Sequence, residues 1–303
     1  MTHVATLICD PSRPALDDAA IALAVGVLAT TQDVRVLAPA VAADLLFTPG
    51  GADDKGIAER LRSALRGLPI DTVVQPAAAR RKKLFVADMD STMIGQECID
   101  ELADYVGLKA HVAAITERAM RGEIAFEPAL RERVALLKGL PVAVVEEVIG
   151  KRITLTSGAR TLLATMRAKG AHSCLVSGGF TLFTRRIAGM IGFDEQRGNT
   201  LVVQDGKLAG RVEEPILGRA AKLATLVELR GRLGLSVQDT LAAGDGANDI
   251  PMLESAGLGV AYHAKPAVAA AAHARIDHGD LTALLYCQGY ARAEFVELLP
   301  SDK

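Results

Sequence analysis

The chain has 303 residues, half of them hydrophobic, and a net charge of −2 at pH 7. That length suits about two domains at roughly 150 residues each, and the near-neutral balance gives no electrostatic case for nucleic acid or a membrane surface. The four cysteines, Cys9, Cys98, Cys174 and Cys287, are scattered without a Cys-x-x-Cys pair, which suits buried thiols in a reducing cytoplasm and not a zinc site.

Residues 3 to 9 read as a strand and Asp10-Pro11-Ser12-Arg13-Pro14 as a turn. Asp10 and Arg13 interrupt the apolar residues and no basic stretch precedes them, so a signal peptide is not expected. No apolar run reaches the length of a bilayer span. An Ala-rich helix follows over 15–28, then short strands at Val34–Leu37 and Leu45–Thr48. Residues 54–67 carry Ile57, Leu61 and Leu65 at spacing four, the mark of an amphipathic helix. Ile70–Val74 completes a βαββαβ order, a ferredoxin-like α+β unit over 1–76. Its topology resembles the small ACT regulatory domains. Such domains usually carry Gly in the first turn, where Pro14 is here followed by Ala15, so an amino-acid-binding module and a structural or dimerising one both stay open. Gln75–Lys83 is basic and lacks interleaved aromatics, and it reads as a solvated linker, with its core at 77–83.

Leu84-Phe85-Val86-Ala87 is an apolar run that ends in Asp88-Met89-Asp90-Ser91-Thr92. A buried parallel strand with polar groups at its carboxyl end reads this way, and ligands sit at that end of open α/β sheets. About four helices follow, over roughly 96–152, including one near His111–Met120 that Gly122 ends. A block this large is expected to form a cap that excludes water. A helix over 155–168 leads to a second strand, His172–Ser177, with Gly178-Gly179 and a helix beginning near Phe180. Free amides at such a helix start would suit an anion. Leu201–Val212 reads as a hairpin with Asp205-Gly206 in its turn. Residues 219–233 are helical, with Lys222 one turn in. Thr240–Ala243 is a third apolar strand, running into Gly244-Asp245-Gly246-Ala247-Asn248-Asp249. A strand at Gly259–Tyr262, a helix at 266–274 and a terminal helix through Leu281–Tyr286 close the pattern.

Alternating strands and helices from 84 to 303 imply a doubly wound parallel sheet. The three special strings lie at strand carboxyl ends and can therefore converge. Carboxylates without His or Cys suit a hard cation, Mg²⁺, over zinc, and Mg²⁺ in turn favours phosphate substrates. The sequence has neither a Walker loop nor a dinucleotide fingerprint. Each signal also has an ordinary explanation. A βα turn often uses Gly, an isolated Lys is usually solvated, and Asn248 suits a helix cap.

The four strings, in order over about 83–290, resemble the motifs of the haloacid dehalogenase (HAD) superfamily. The resemblance implies Asp88 as nucleophile and Asp90 as acid and then base. It implies Mg²⁺ on Asp88, the Asp90 carbonyl and Asp245, with Asp249 behind the metal. Ser177, Gly178, Lys222 and Asn248 would hold the phosphate. Asp88-Met89-Asp90-Ser91-Thr92-Met93-Ile94-Gly95-Gln96-Glu97 resembles phosphoserine phosphatases in particular. In that family Glu97 would meet the substrate ammonium, Arg133 its carboxylate, and Met120 and Phe126 would close the pocket. The implied function is Mg²⁺-dependent hydrolysis of phosphoserine in the cytoplasm, the last step of serine synthesis; a homodimer through the N-terminal unit is one of the roles left open for that unit. Phosphoryl transfer to another hydroxyl, and a serine-sensing protein with a vestigial catalytic domain, are the competing expectations. The intact set Asp88, Asp90, Lys222 and Asp245 argues against the second.

Overall fold

The computed structural model describes residues 1–28, 30, 33–120, 123–296 and 298, with residues 119 and 120 described by backbone alone. Gly122 and the Met120 side chain lie outside the described residues. The first unit runs β1 (His3–Ile8), α1 (Asp18–Leu28), β2 (Asp33–Ala38), β3 (Ala42–Phe47), α2 (Asp54–Ala64) and β4 (Asp71–Pro76). Its strands pair antiparallel in the order β2-β3-β1-β4, the ferredoxin-like arrangement. Asp53 caps α2 by accepting from the Gly56 amide at 2.7 Å, and Ile57 and Leu61 bury the face set by their spacing. β1 and β4 are buried along nearly their whole length. Both faces of the sheet are therefore covered at β1 and β4, one by α1 and α2 and the other by the rest of the chain, while the edge strand β2 stays largely exposed.

The second unit begins with β5 (Leu84–Ala87) and passes into four helices, α3 (Cys98–Tyr105), α4 (Lys109–Met120), α5 (Phe126–Ala135) and α6 (Ala143–Arg152). It returns through α7 (Ala159–Ala168), β6 (His172–Phe180), α8 (Thr181–Ile191) and β7 (Glu195–Asn199). A hairpin, β8 (Leu201–Gln204) and β9 (Lys207–Val212), precedes α9 (Arg219–Arg232). The chain then runs β10 (Thr240–Gly244), α10 (Ile250–Ser255), β11 (Leu258–Tyr262), α11 (Pro266–Ala271), β12 (Ala274–Ile276) and α12 (Ala283–Cys287). Among the described residues, six strands form one parallel sheet in the order β12-β11-β10-β5-β6-β7. The class is α/β, a doubly wound sheet with an inserted helical cap and an N-terminal α+β unit.

Five details differ from the sequence expectation. The stretch after Leu155 is not helical until Ala159, because Leu155 bridges Ile94 and the Thr156 amide donates to the Met93 carbonyl. The helix at 266–274 stops at Ala271, and Ala274–Ile276 joins the sheet edge as β12. β7 is polar in sequence and carries no strand signal; its pairing with β6 makes it a strand. Ser177 and Gly178 lie inside β6, not at a helix start, and the β6–β7 register shifts between Val176 and Phe180. The segment is a bulge in a strand, and the Gly179 amide within it donates to Ser177 Oγ.

The fifth correction is the largest. In the segment read as solvated linker, Arg80 is largely buried in the seam between the units and Lys82 is buried against the second unit. Arg80 is fork-paired to Asp44 of β3, at 2.6 and 3.0 Å, with side chains 12% and 4% exposed. It also donates to Thr6 Oγ1 and to the carbonyls of Tyr286 and Cys287. Lys82 Nζ donates to the carbonyls of Ala79 and Gln238. Two sheets meeting at one seam need their buried polar atoms satisfied, and the basic run does that work. Asp71 at the start of β4 adds to it by accepting from the amides of Asp277, His278 and Gly279. All four cysteines are free and buried.

Candidate active site

β5 sits between β10 and β6, so the strings that follow these three strands open on one edge of the sheet. Ala87 pairs with Ala243 on one side and Leu175 on the other. The Asp88 amide still donates to the Ala243 carbonyl, at 3.0 Å, which carries Asp88 to the level of Gly244. Adjacent strands lie about 4.8 Å apart, so carboxylates leaving them at one level must crowd. One oxygen from each of Asp88, Asp245 and Asp249 lies within 4.8 Å of the others.

Local turns aim the groups. After β5 the Met93 and Ile94 amides both return to the Met89 carbonyl, with Ser91 in the left-handed region at φ 55°. This tight loop brings Thr92 back over the next strand, where its hydroxyl donates to Asp245 Oδ1 at 3.0 Å. The Asp249 carboxylate accepts from the Gly246 amide at 3.0 Å. Side-chain atoms of Asp249 fill the space where Gly244 would carry a Cβ, as close as 2.4 Å. Gly244 is thus required by contact. Lys222 reaches in from α9 and is 2% exposed; its Nζ lies 2.8 Å from Asp88 Oδ1 and 2.6 Å from Asp249 Oδ1.

The charges do not balance. Asp88, Asp245 and Asp249 gather around one Lys222. Burial, reinforced by Asp249, pushes Asp88 well above the usual carboxylate range, while Lys222 opposes the rise. Burial and then Asp249 lift Asp245 to about 6. Burial alone would lower the Lys222 ammonium, but Asp88 and Asp249 more than offset it and raise its pKa. An all-oxygen donor set carrying excess negative charge fits a hard divalent cation.

Asp90 turns the other way. Its Oδ1 accepts from the Cys98 amide at 3.0 Å and its Oδ2 from the Ser177 hydroxyl at 3.2 Å. Burial, then the nearby Glu97 charge, raise it to about 6. The structure therefore separates the two acids of Asp-x-Asp, one toward the cluster and one toward the cap.

The other expected residues divide between wall and roof. Gly178 is in the bulge of β6, and Asn248 is in the turn before α10, with its Oδ1 filling the Cβ position of Gly246. Glu97 heads α3 and accepts from the Ser91 hydroxyl at 2.7 Å. Arg133 is half-buried within the cap, donating to the Ala129 carbonyl and Thr116 Oγ1, and burial lowers it against the pull of Asp100 and Glu97. Phe126 leans from α5 over Gly178, where a methyl would meet its ring at 3.3 Å, and over Gly218, at 3.5 Å.

Two residues went unread in the sequence. Thr92 orients Asp245; its place in the Asp-x-Asp-Ser-Thr string was a usable signal. Asn199, the last residue of β7, donates to the carbonyls of Gly178 (2.8 Å) and Leu217 (3.1 Å) and accepts from the Leu217 amide (2.7 Å). Nothing around it in the sequence marks it.

A family model described as haloacid dehalogenase-like hydrolase matches residues 85–254. A phosphoserine phosphatase from Polaromonas is 48% identical over 224 residues, covering 72% of this chain and 95% of the relative. A HAD family hydrolase from Salmonella enterica serovar Typhi superposes with a TM-score of 0.84 at 31% identity, over 96% of this chain and 99% of its own. A probable phosphoserine phosphatase from Vibrio cholerae superposes at 0.77 and 30% identity, over 97% of this chain and 88% of its own. With the acidic cluster, the strand-end strings and the helical cap on the same sheet edge, the chain belongs to the haloacid dehalogenase-like hydrolases, within the group formed by the phosphoserine phosphatases.

Proposed function

We propose that the protein is a Mg²⁺-dependent phosphatase that hydrolyses O-phospho-L-serine to L-serine and phosphate through an aspartyl-phosphate on Asp88. The observation that carries the reading is the buried cluster of Asp88, Asp245, Asp249 and Lys222 beside an Asp90 that points away from it. Asp88, Asp245 and the Asp90 carbonyl would hold the ion, with Asp249 behind them. When bound, Mg²⁺ supplies positive charge that lets a carboxylate approach a phosphate dianion. Lys222 adds a second positive charge, and Ser177, Gly178 and Asn248 offer donors to the phosphoryl oxygens.

In the first step an Asp88 oxygen bonds to phosphorus and the bond to the serine oxygen breaks. Asp90 gives its proton to that leaving oxygen, and its position near 6 suits a group that must be acid first and base second. In the second step Asp90 takes a proton from water as the water oxygen attacks phosphorus. The Asp88–phosphorus bond breaks, and both carboxyl groups return to their starting states. The cap reads the substrate: Glu97 the ammonium, Arg133 the carboxylate as a fork, with Phe126 and Met120 as lid.

The relatives' names support phosphoserine. We assign the N-terminal domain to 1–76, its connection to 77–83, the catalytic domain to 84–303 and the cap to about 96–152. The cytoplasm and the last step of serine synthesis follow from the same reading, in keeping with four free thiols. A homodimer through the N-terminal sheet is supported by its edge strand β2, where Val34 and Val36 are exposed. The test is phosphate release from a panel of phosphomonoesters with Mg²⁺. Phosphoserine should lead the panel and Asp88→Asn should release none; equal turnover of sugar phosphates would refute the cap assignment.

A further inference from the structure

We propose that Asn199 is a positioning residue that holds the Ser177-Gly178-Gly179 bulge and the segment entering α9 at a fixed separation, and so sets the aim of Asp90. The inference rests on the phosphomonoester reading for its kinetic consequence and on geometry alone for its mechanical part.

The bulge creates the need. Phe180 pairs with Asn199, but the β6–β7 register shifts between Val176 and Phe180. The Gly178 carbonyl takes an Asn199 side-chain amide in place of a ladder partner, at 2.8 Å. The amide's second hydrogen goes to the Leu217 carbonyl, and its oxygen accepts the Leu217 amide. Two carbonyls face the nitrogen and one N–H faces the oxygen, so the carboxamide has one orientation that satisfies all three. The residue is 2% exposed, so water does not substitute for any of them.

Each end of this bracket leads to the chemistry. At one end, holding the Gly178 carbonyl fixes the peptide whose N–H, at Gly179, donates to Ser177 Oγ at 2.8 Å. Ser177 Oγ in turn donates to Asp90 Oδ2. At the other end, Leu217 is followed by Gly218, the cap position of α9, and Lys222 lies one turn on. Phe126 of the cap rests over Gly178, whose carbonyl is bracketed, and over Gly218, the residue after Leu217. The buried carboxamide therefore sits beneath the floor on which the cap lands.

Asn199→Asp and Asn199→Ser test this in the full-length protein. Asp keeps the acceptor for the Leu217 amide but sets an oxygen against the two carbonyls. Ser shortens the reach to all three. With both variants melting cooperatively, kcat for phosphoserine should fall about 10²-fold, the scale of a misplaced reacting group, with KM changed less than about threefold. Amide hydrogen exchange gives the activity-independent readout. The Gly179 amide should exchange at least about tenfold faster in both variants, and the Leu217 amide only in Asn199→Ser. Unchanged Gly179 exchange, or kcat within threefold of wild type, would overturn the proposal, as would a loss carried by KM alone. If wild-type protein releases no phosphate from phosphoserine, the function falls and the exchange pattern decides the bracket by itself.

Discussion

Replacing Arg80 by Met leaves the Asp44 carboxylate in the seam between the sheets with the Thr6 hydroxyl, at 2.7 Å, as its remaining side-chain partner. Asp44 is 4% exposed at its side chain, and two of the three Arg80 contacts beyond it are to backbone carbonyls of α12. Breaking a buried pair by removing one member costs about 3–5 kcal/mol, because the other charge stays desolvated. At a urea slope near 3 kcal/mol/M, that lowers the unfolding midpoint by roughly 1 M or more. The assay is urea unfolding followed by circular dichroism for wild type, Arg80→Met, Asp44→Asn and the double variant. Asp44→Asn should be harmful alone yet recover about 1–3 kcal/mol in the Arg80→Met background, since it removes the stranded charge. A surface substitution moves stability by about 0.5 kcal/mol or less. A shift of that size for Arg80→Met, or the same Asp44→Asn effect in both backgrounds, would refute the buried-latch account.

Chelation with EDTA should abolish phosphate release and added Mg²⁺ should restore it; activity that survives exhaustive chelation would refute the cation assignment. Thr92→Val removes the hydroxyl that aims Asp245 and should raise the Mg²⁺ concentration for half-activation by about 10–100-fold, read from Mg²⁺ titrations of turnover. Burial holds Lys82 down at about 8, against 10.5 for a free lysine. Its unfolded form therefore binds more protons between those values, and the Lys82 contribution to stability should rise as pH climbs from 8 to 10.5. Comparing midpoints of wild type and Lys82→Met across that range isolates the Lys82 contribution; parallel curves would show that burial does not hold its ammonium down.

Much of the sheet and the acidic cluster could be read directly from sequence because each strand carries its signal in contiguous residues. Leu84–Ala87 and Thr240–Ala243 are apolar runs that stop at acids, and a run that stops at an acid marks both a strand and its carboxyl end. Adjacency was not legible. That β5 lies between β6 and β10 depends on crossovers that no local pattern records. β7 escaped because its five residues, Glu195 to Asn199, are mostly polar and become a strand only by pairing with β6. The basic segment before β5 misled for the same reason. Arg80 looks solvated until Asp44, Thr6 and two carbonyls from the far end of the chain are placed around it. Glu97 and Arg133 were legible only through the flanking strings, since each alone resembles ordinary helix surface.

The distribution of sulfhydryl groups has a practical use. Cys9 follows the first strand of the N-terminal sheet, Cys98 opens the cap, Cys174 lies in the central sheet, and Cys287 ends the helix at the seam. Burial raises the pKa of each, to about 12 for Cys174 and Cys287, so a maleimide dye should find none of them until its surroundings open. The order in which they take up label would give the order in which the parts of the molecule come undone, with no reporter added.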